Sequence, residues 1–472
     1  MADESLTRRT AHELAAMIKS RAVSPVEVLE AHLAAIARVN PKLNAIVTLA
    51  ADRAKEHARA VETAVMRGDR LGVLAGLPIA IKDITPTAGI RTTFGSPLYK
   101  DYVPDQDAEA VGRLKAAGAI VLAKTNTPEF AAGANTVNAL FGATRNPWNP
   151  ALSPAGSSGG SAVAVATGMV PIAQGTDFGG SIRIPAAFCG IVGIRPTPGL
   201  TPNHPTPLLW DPGQVHGPLA RTAEDAALAL DAMVGFSRLS PISVAPPWSS
   251  ALAEVERCKD VCGLRIAYAS DIAAIGIDGE IDAICRQAAR QLQDAGAAVE
   301  EIAFDASDGR DPYLIWRGAW MVGRQFTRLA QLEKFGENLK GNVKAGMNVT
   351  ALDLAAAEHK RQEVFHRFQG LFERFDILLT PAAPVKPYPV EMNFPNEING
   401  RKLDNYVDWI APAFLITLVS LPAGSVPAGK TRDGLPVGLQ IVAPRFEEPR
   451  ILSVAKLVQQ AHPIGWPPDD LL

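Results

Sequence analysis

Most features that would mark a specialised class are scarce in this sequence. Only four of 472 residues are cysteine (Cys189, Cys258, Cys262 and Cys285), too few to staple a chain of this length. Cys258 and Cys262 lack a second ligand pair, so zinc is not expected and the thiols read better as buried or idle. An excess of one charge is also missing: 46 Lys and Arg face 49 Asp and Glu, a net charge of −3. A nearly neutral chain has no field to draw nucleic acid or an anionic membrane surface. The longest tempting apolar run, residues 409–429, is interrupted by Pro412, Pro422 and Pro427. A spanning helix needs about 20 apolar residues with closed backbone bonds, so this run reads as a buried helix, a turn and a strand. The N-terminal residues carry acids early and no apolar core before a cleavage site. They do not read as a signal peptide, and the expectation is a cytoplasmic protein.

What remains is an ordinary globular composition, 47% hydrophobic and 20% charged, with 39 Gly and 37 Pro marking many turns. Thr10 and Glu13 form a capping box that opens an amphipathic helix. Ser24, Pro25 and Glu27 open a second over 24–40, which Asn40-Pro41 is expected to stop. A charged helix follows over 51–67. Short β-rich runs at 77–83, 119–124, 170–176 and 191–196 then alternate with helical patterns at 107–117, 160–168, 178–189 and 223–234. Later pairs are 279–296 with 297–304, and 350–374 with 376–381. The chain closes with a hairpin about Arg432-Asp433-Gly434 and a helix over 447–461. This alternation predicts an α/β fold: a mixed, mostly parallel sheet covered by helices on both faces. No internal repeat or long linker appears. The expected unit is one domain over 1–472, with a helical N-terminal layer (1–70), a catalytic core (75–235) and a helical insertion over the site (306–374).

No charged residue occurs between Arg145 and Asp177. Serine and glycine are dense there but interleaved with strand and helix patterns, so a linker is a poor reading. Gly179-Gly180-Ser181 falls between a strand and a short helix, where a serine hydroxyl can sit beside free amides, as acyl transfer requires. A plain glycine turn with a capping serine remains open on this evidence. Two other motifs fail in context. Gly156-Ser157-Ser158-Gly159-Gly160 matches the nucleophile elbow, but three prolines and no strand precede it. Gly424 to Thr431 matches a P-loop, but turn and strand chemistry follows, and Pro427 removes an amide from the cradle. Lys82 lies among Ile79, Ile81 and Ile84. A lysine kept dry there has its charged form disfavoured and can serve as a general base. The eight histidines lie outside both Ser/Gly segments, which favours a Ser–Lys arrangement over Ser–His.

Residues 74–83 (LAGLPIAIKD), 123–130 (AKTNTPEF), 146–162 (NPWNPALSPAGSSGGSA), 175–197 (GTDFGGSIRIPAAFCGIVGIRPT) and 217–227 (GPLARTAEDAA) closely resemble the motifs of the amidase signature family. Residues 433–442 extend the likeness toward the C-terminus. The resemblance implies an amidohydrolase that cleaves carboxamides through a Ser–cis-Ser–Lys triad and an acyl-enzyme, with no metal or cofactor. Carried onto this chain, the nucleophile is Ser181, the bridging serine Ser157 after a cis Gly156–Ser157 peptide, and the base Lys82. The intervals between the three fit the family pattern. The implied oxyanion hole uses the amides of Phe178, Gly179, Gly180 and Ser181. Asp83, Ser158, Asp177 and Arg183 occupy motif positions that would hold loops and orient the triad. A small-molecule amide is the expected partner, with no nucleic acid and no membrane; many members form homodimers, and the sequence leaves the oligomeric state of this chain open.

The chain departs from the pattern at Ala155, where many members have glycine, and at Phe178, where a smaller or β-branched residue is usual. A phenyl ring there would reshape the acyl pocket. Leu208, Leu209 and Trp210, in the loop 204–217, are expected to face substrate. Trp316, Trp320 and Phe326 fall on a helical pattern that could cover the site. Ala131, Leu209, Trp210 and Trp316 are the expected substrate contacts. Together they favour apolar or aryl amides, with esters and carbamates as side substrates. The competing reading is the glutaminase subunit of a tRNA-dependent amidotransferase, which shares the triad but takes glutamine and works in a complex.

Overall fold

The computed structural model describes residues 4–403 and 405–472; Met1–Asp3 of the N-terminal segment lie outside them. The chain begins with helices α1 (Ala11–Lys19) and α2 (Pro25–Leu43), strand β1 (Ile46–Leu49) and helix α3 (Ala51–Arg67). Strand β2 (Pro78–Lys82), helix α4 (Glu109–Ala116) and strand β3 (Ile120–Thr125) follow. A small hairpin, β4 (Val137–Asn138) and β5 (Gly142–Ala143), leads to helix α5 (Gly159–Ala166), strand β6 (Ile172–Asp177), helix α6 (Arg183–Cys189) and strands β7 (Val192–Arg195) and β8 (Val215–Ala220). The second half contains α7 (Ala223–Met233), α8 (Ala251–Arg257), β9 (Arg265–Tyr268), α9 (Gly279–Asp294) and β10 (Ala298–Glu301). Helices α10 (Arg310–Gln325), α11 (Glu337–Met347) and α12 (Ala351–Arg374) precede β11 (Ile377–Pro381) and a second small hairpin, β12 (Glu397–Ile398) and β13 (Arg401–Lys402). Helix α13 (Ala411–Leu418), strands β14 (Ala423–Lys430) and β15 (Pro436–Val442) and helix α14 (Glu448–Ala461) complete the chain.

Both predicted capping boxes are present: Thr10 with Glu13, and Ser24 with Glu27. The stop expected at Asn40-Pro41 is corrected, because α2 runs through Pro41 to Leu43 and ends on Asn44 in a left-handed conformation. In the last turn proline removes a single intrahelical bond, and the Asn40 side chain accepts the amides of Ala45 and Ile46 beyond it. The uncharged run 409–429 resolves into α13, a turn and β14. Among the described residues no helix is long and apolar enough to cross a membrane. The P-loop-like segment is strand β14, paired with β15 in a hairpin.

Among the described residues, eleven strands form one sheet in the order β1-β3-β2-β6-β8-β7-β14-β15-β11-β9-β10. The α/β class and the mixed sheet match the sequence reading, but the pairing sense needs a correction. Of the ten pairings, six are antiparallel and four parallel, not mostly parallel. The parallel ones are β2 with β3 and β6, and β9 with β10 and β11. Strands β1 and β8 read poorly by pattern, being short or carrying an internal proline, and each enters antiparallel. Alternate residues feed opposite faces. Ile79, Ile81, Val121 and Ile172 pack with α1, α4 and α7, while Ala80, Ile120, Leu122 and Ala173 pack with α2 and α5. In the other half, Ile266 and Ile377 join α9 and α14, while Ala267 and Leu378 face the layer that contains α10, α12 and α13.

Candidate active site

Strands β2 and β6 run parallel, so their C-terminal ends open side by side, the place where open α/β sheets gather ligands. Lys82 is the last residue of β2 and Asp177 the last of β6. Lys82 is in phase with Ala80, on the face covered by α5, and is fully buried. Its Nζ donates to Ser157 Oγ at 2.6 Å, Ser158 Oγ at 2.9 Å and Thr176 Oγ1 at 3.0 Å. No carboxylate among the described residues forms an ion pair with it. Burial therefore drives its pKa well below the usual lysine value, against the pull of the Asp177 charge. Three hydroxyls fix the amine in place.

Ser157 follows a cis peptide from Gly156, as the resemblance implied. Gly156 has little room for a side chain, because an added Cβ would stand 3.1 Å from the Asn135 carbonyl carbon. Ala155, the departure noted above, has φ 60°, a conformation that favours glycine. Its carbonyl accepts from Thr136 Oγ1 at 2.8 Å.

Ser181 occupies the turn after β6. From Ser153 to Asn203 every residue is buried except Ser181, which is partly exposed. Asp177 organises that turn. Its carboxylate accepts from the Gly180 amide at 2.9 Å, from Arg183 Nε at 3.0 Å and from Arg183 Nη2 at 2.9 Å. Arg195 lies 3.6 Å from it and donates to the Asp177 carbonyl at 2.7 Å. Burial alone would raise the Asp177 pKa, but the two arginines hold it well below the carboxylate range. Because Asp177 takes the Gly180 amide, the expectation that this amide serves an oxyanion hole over 178–181 is corrected. Asp83 is also buried. It accepts from the Thr93 amide at 3.2 Å and from the Thr93 hydroxyl, and so pins the loop after β2.

A cavity of about 20 Å³ opens on Ser157 and Ser181. Ala131, Phe178 and Gly179 line it, as does Trp320 of the helix expected over the site, and Thr176, Gln214, Arg317, Met321, Tyr406 and Ile410, which the sequence reading did not assign, line it too. Trp316 stands behind the wall, its ring 5.0 Å from that of Phe178, while Trp320 stacks on Phe178 at 4.1 Å. The expected contacts Leu209 and Trp210 are corrected: they do not line the cavity, and Trp210 is 75% exposed. Phe326 is likewise exposed. The loop contributes through a polar residue instead. Asp211 accepts from Trp320 Nε1 at 2.6 Å and from the Gly213 amide at 2.7 Å, which sets Gln214 at the rim. The spacing of Thr176 within the 175–197 motif could have pointed to it; Arg317 and Tyr406 had no local signal.

A buried amine on a serine that shares a cavity with a partly exposed serine in a glycine-rich turn can support acyl transfer. The family model for amidases matches residues 27–452. The chain belongs to the amidase signature family. It is 36% identical to the glutamyl-tRNA(Gln) amidotransferase A-type subunit of Acidothermus cellulolyticus, over 97% of this chain and 95% of that one. It is 34% identical to an acylamidase of Rhodococcus erythropolis, over 98% and 97%. The solved structure of a bacterial aryl acylamidase of the same family superposes with a TM-score of 0.88 at 30% identity, covering 96% of each chain. This amidase signature chain is thus a hydrolase acting on amides, and a Ser–Ser–Lys triad is characteristic of its family.

Proposed function

We propose that the protein hydrolyses apolar or aryl amides of small molecules through Ser181, Ser157 and Lys82. Ser181 Oγ attacks the amide carbonyl carbon. Its proton passes to Ser157 Oγ as Ser157 gives its own to neutral Lys82. The tetrahedral oxyanion accepts from the amides of Phe178, Gly179 and Ser181; one such donor is worth about 10²- to 10³-fold in rate. Protonated Lys82 then returns a proton through Ser157 to the leaving amine, and water repeats the cycle on the acyl-Ser181 ester. Esters and carbamates fit the same chemistry as side substrates.

Lys82 carries this reading. A fully buried amine bonded to three hydroxyls and to no carboxylate is costly unless its neutral form is used. The aryl preference rests on the stacked Phe178 and Trp320 rings. A panel of p-nitroanilides tests the proposal. Wild-type protein releases p-nitroaniline, and Ser181→Ala lowers the rate by on the order of 10⁴-fold or more while far-UV circular dichroism is unchanged. Turnover retained by that variant removes Ser181 from the mechanism.

The similarity to the glutaminase-type subunits of amidotransferases keeps a second reading in view, a glutaminase that works within a complex. Gel filtration with a glutaminase assay separates the two: free, glutamine-inactive protein that cleaves anilides supports the first.

A further inference from the structure

Besides the two serines, the cavity is lined by a buried cation that has no anionic partner among the described residues. Arg317 projects from α10, is 6% exposed and lines the cavity with Ser157, Ser181 and Gln214. It is fixed by neutral partners. Its Nε donates to Asn342 Oδ1 at 3.1 Å and its Nη2 to the Tyr406 hydroxyl at 2.6 Å. Asn342 Nδ2 also donates to that hydroxyl at 2.7 Å. Asn342 reaches Arg317 because α10 and α11 touch at two glycines, Gly318 and Gly346; a Cβ on Gly346 would fall 2.0 Å from the Gly318 carbonyl oxygen. Arg317 forms no ion pair among the described residues, whereas buried Arg183 and Arg195 share Asp177. The hydroxyls of Tyr406 and Tyr313 keep it charged in spite of burial.

An uncompensated buried charge is expensive, and a guanidinium held at two corners presents its remaining N–H groups as a fork for a carboxylate. No Asp or Glu lines the cavity among its described residues, so an ammonium beside that carboxylate would find no partner. We infer that Arg317 is a specificity-determining residue that binds a carboxylate on the substrate, and that the preferred substrates are amides carrying a carboxylate but no α-ammonium. This deepens the amidohydrolase reading above and rests on it. The aromatic wall then holds the apolar part of an anionic substrate rather than of a neutral one.

The test pairs each acid with a neutral methyl ketone of the same shape. Succinic acid mono-p-nitroanilide is set against 4-oxopentanoyl p-nitroanilide for a carboxylate on the acyl side. For one on the amine side, 4-acetamidobenzoate is set against 4-acetamidoacetophenone. Calorimetry with Ser181→Ala reads binding without turnover. At least one acid is expected to bind about 10- to 100-fold more tightly than its ketone, the range of a charge-assisted pair. Ser181→Ala/Arg317→Gln removes the difference, and Ser181→Ala/Arg317→Lys, which keeps the charge should the first fail to fold, retains part of it. Glutaramate is expected to bind more tightly than L-glutamine. In active enzyme, Arg317→Gln lowers the acid-to-ketone ratio of kcat/KM; a purely structural role would lower both rates and leave the ratio. Acids and ketones that bind alike, or a ratio indifferent to position 317, overturn the inference even where both anilides are hydrolysed. Arg317-dependent binding of an acid without hydrolysis of either anilide supports the carboxylate site and counts against the triad reading. Tighter binding of glutamine than of glutaramate overturns the exclusion of an ammonium.

Discussion

The two walls of the cavity are built on different principles. The wall that carries Ser157, Thr176 and Ser181 comes from one stretch of chain, Ser153 to Asn203, buried throughout apart from Ser181. Its charges are matched internally, with Asp177 between Arg183 and Arg195, and Lys82, brought to it by β2, has its charged form disfavoured by burial. The opposite wall is assembled from distant pieces: Gln214 from a loop, Arg317, Trp320 and Met321 from α10, and Tyr406 and Ile410 from the segment before α13. There Arg317 has no matching anion among the described residues. A wall complete in itself suits chemistry common to many substrates. A wall with an unmet charge suits recognition of one class.

Substitutions can break or sharpen that contrast. The largest effect after loss of Ser181 itself is expected from Lys82→Met, which keeps the bulk and removes the base. All amides should slow together, by about 10²- to 10⁴-fold. In wild type, kcat/KM rises with pH as the depressed Lys82 pKa is passed, because only the deprotonated amine accepts a proton. The variant loses that limb, and a limb that persists places the base elsewhere. Next comes Asp177→Asn, which strands two buried arginines. Urea unfolding should report a loss of about 3–5 kcal/mol, and a change below about 1 kcal/mol means that the arginines find other partners. Trp210→Ala, on the exposed loop, should change kcat/KM by less than about twofold for every anilide. A large, substrate-selective loss there returns the loop to the cavity lining.

The same contrast explains what could be read from the sequence. The first wall is local, and its glycines and serines hold fixed intervals, so the family resemblance could assign Lys82, Ser157 and Ser181, whereas the residues alone left Lys82 and Ser181 open and gave Ser157 no role. The helices with side-chain caps, such as α1, α2 and α7, are legible for the same reason, since the cap and the first turn are neighbours in sequence. Pairing sense is not legible, because β1 and β8 carry weak patterns and their direction is set by partners far away. The oxyanion assignment missed that the Asp177 side chain folds back onto Gly180, a choice made by tertiary geometry. On the second wall, an apolar loop suggested Leu209 and Trp210, yet the contact fell to Gln214 because Asp211 turns the chain there. In the sequence Arg317 looks like any helical arginine; only the packing of α11 and Tyr406 encloses it.

The central claim is that the accessible hydroxyl of the buried stretch, served by a neutral Lys82, is the nucleophile. Its most direct test is tandem mass spectrometry of protein labelled with a fluorophosphonate, in wild type and in Lys82→Met. The adduct is expected on Ser181, formed readily in wild type and at least about 10²-fold more slowly in the variant. An adduct on any other residue, or equal labelling of the two proteins, contradicts the account.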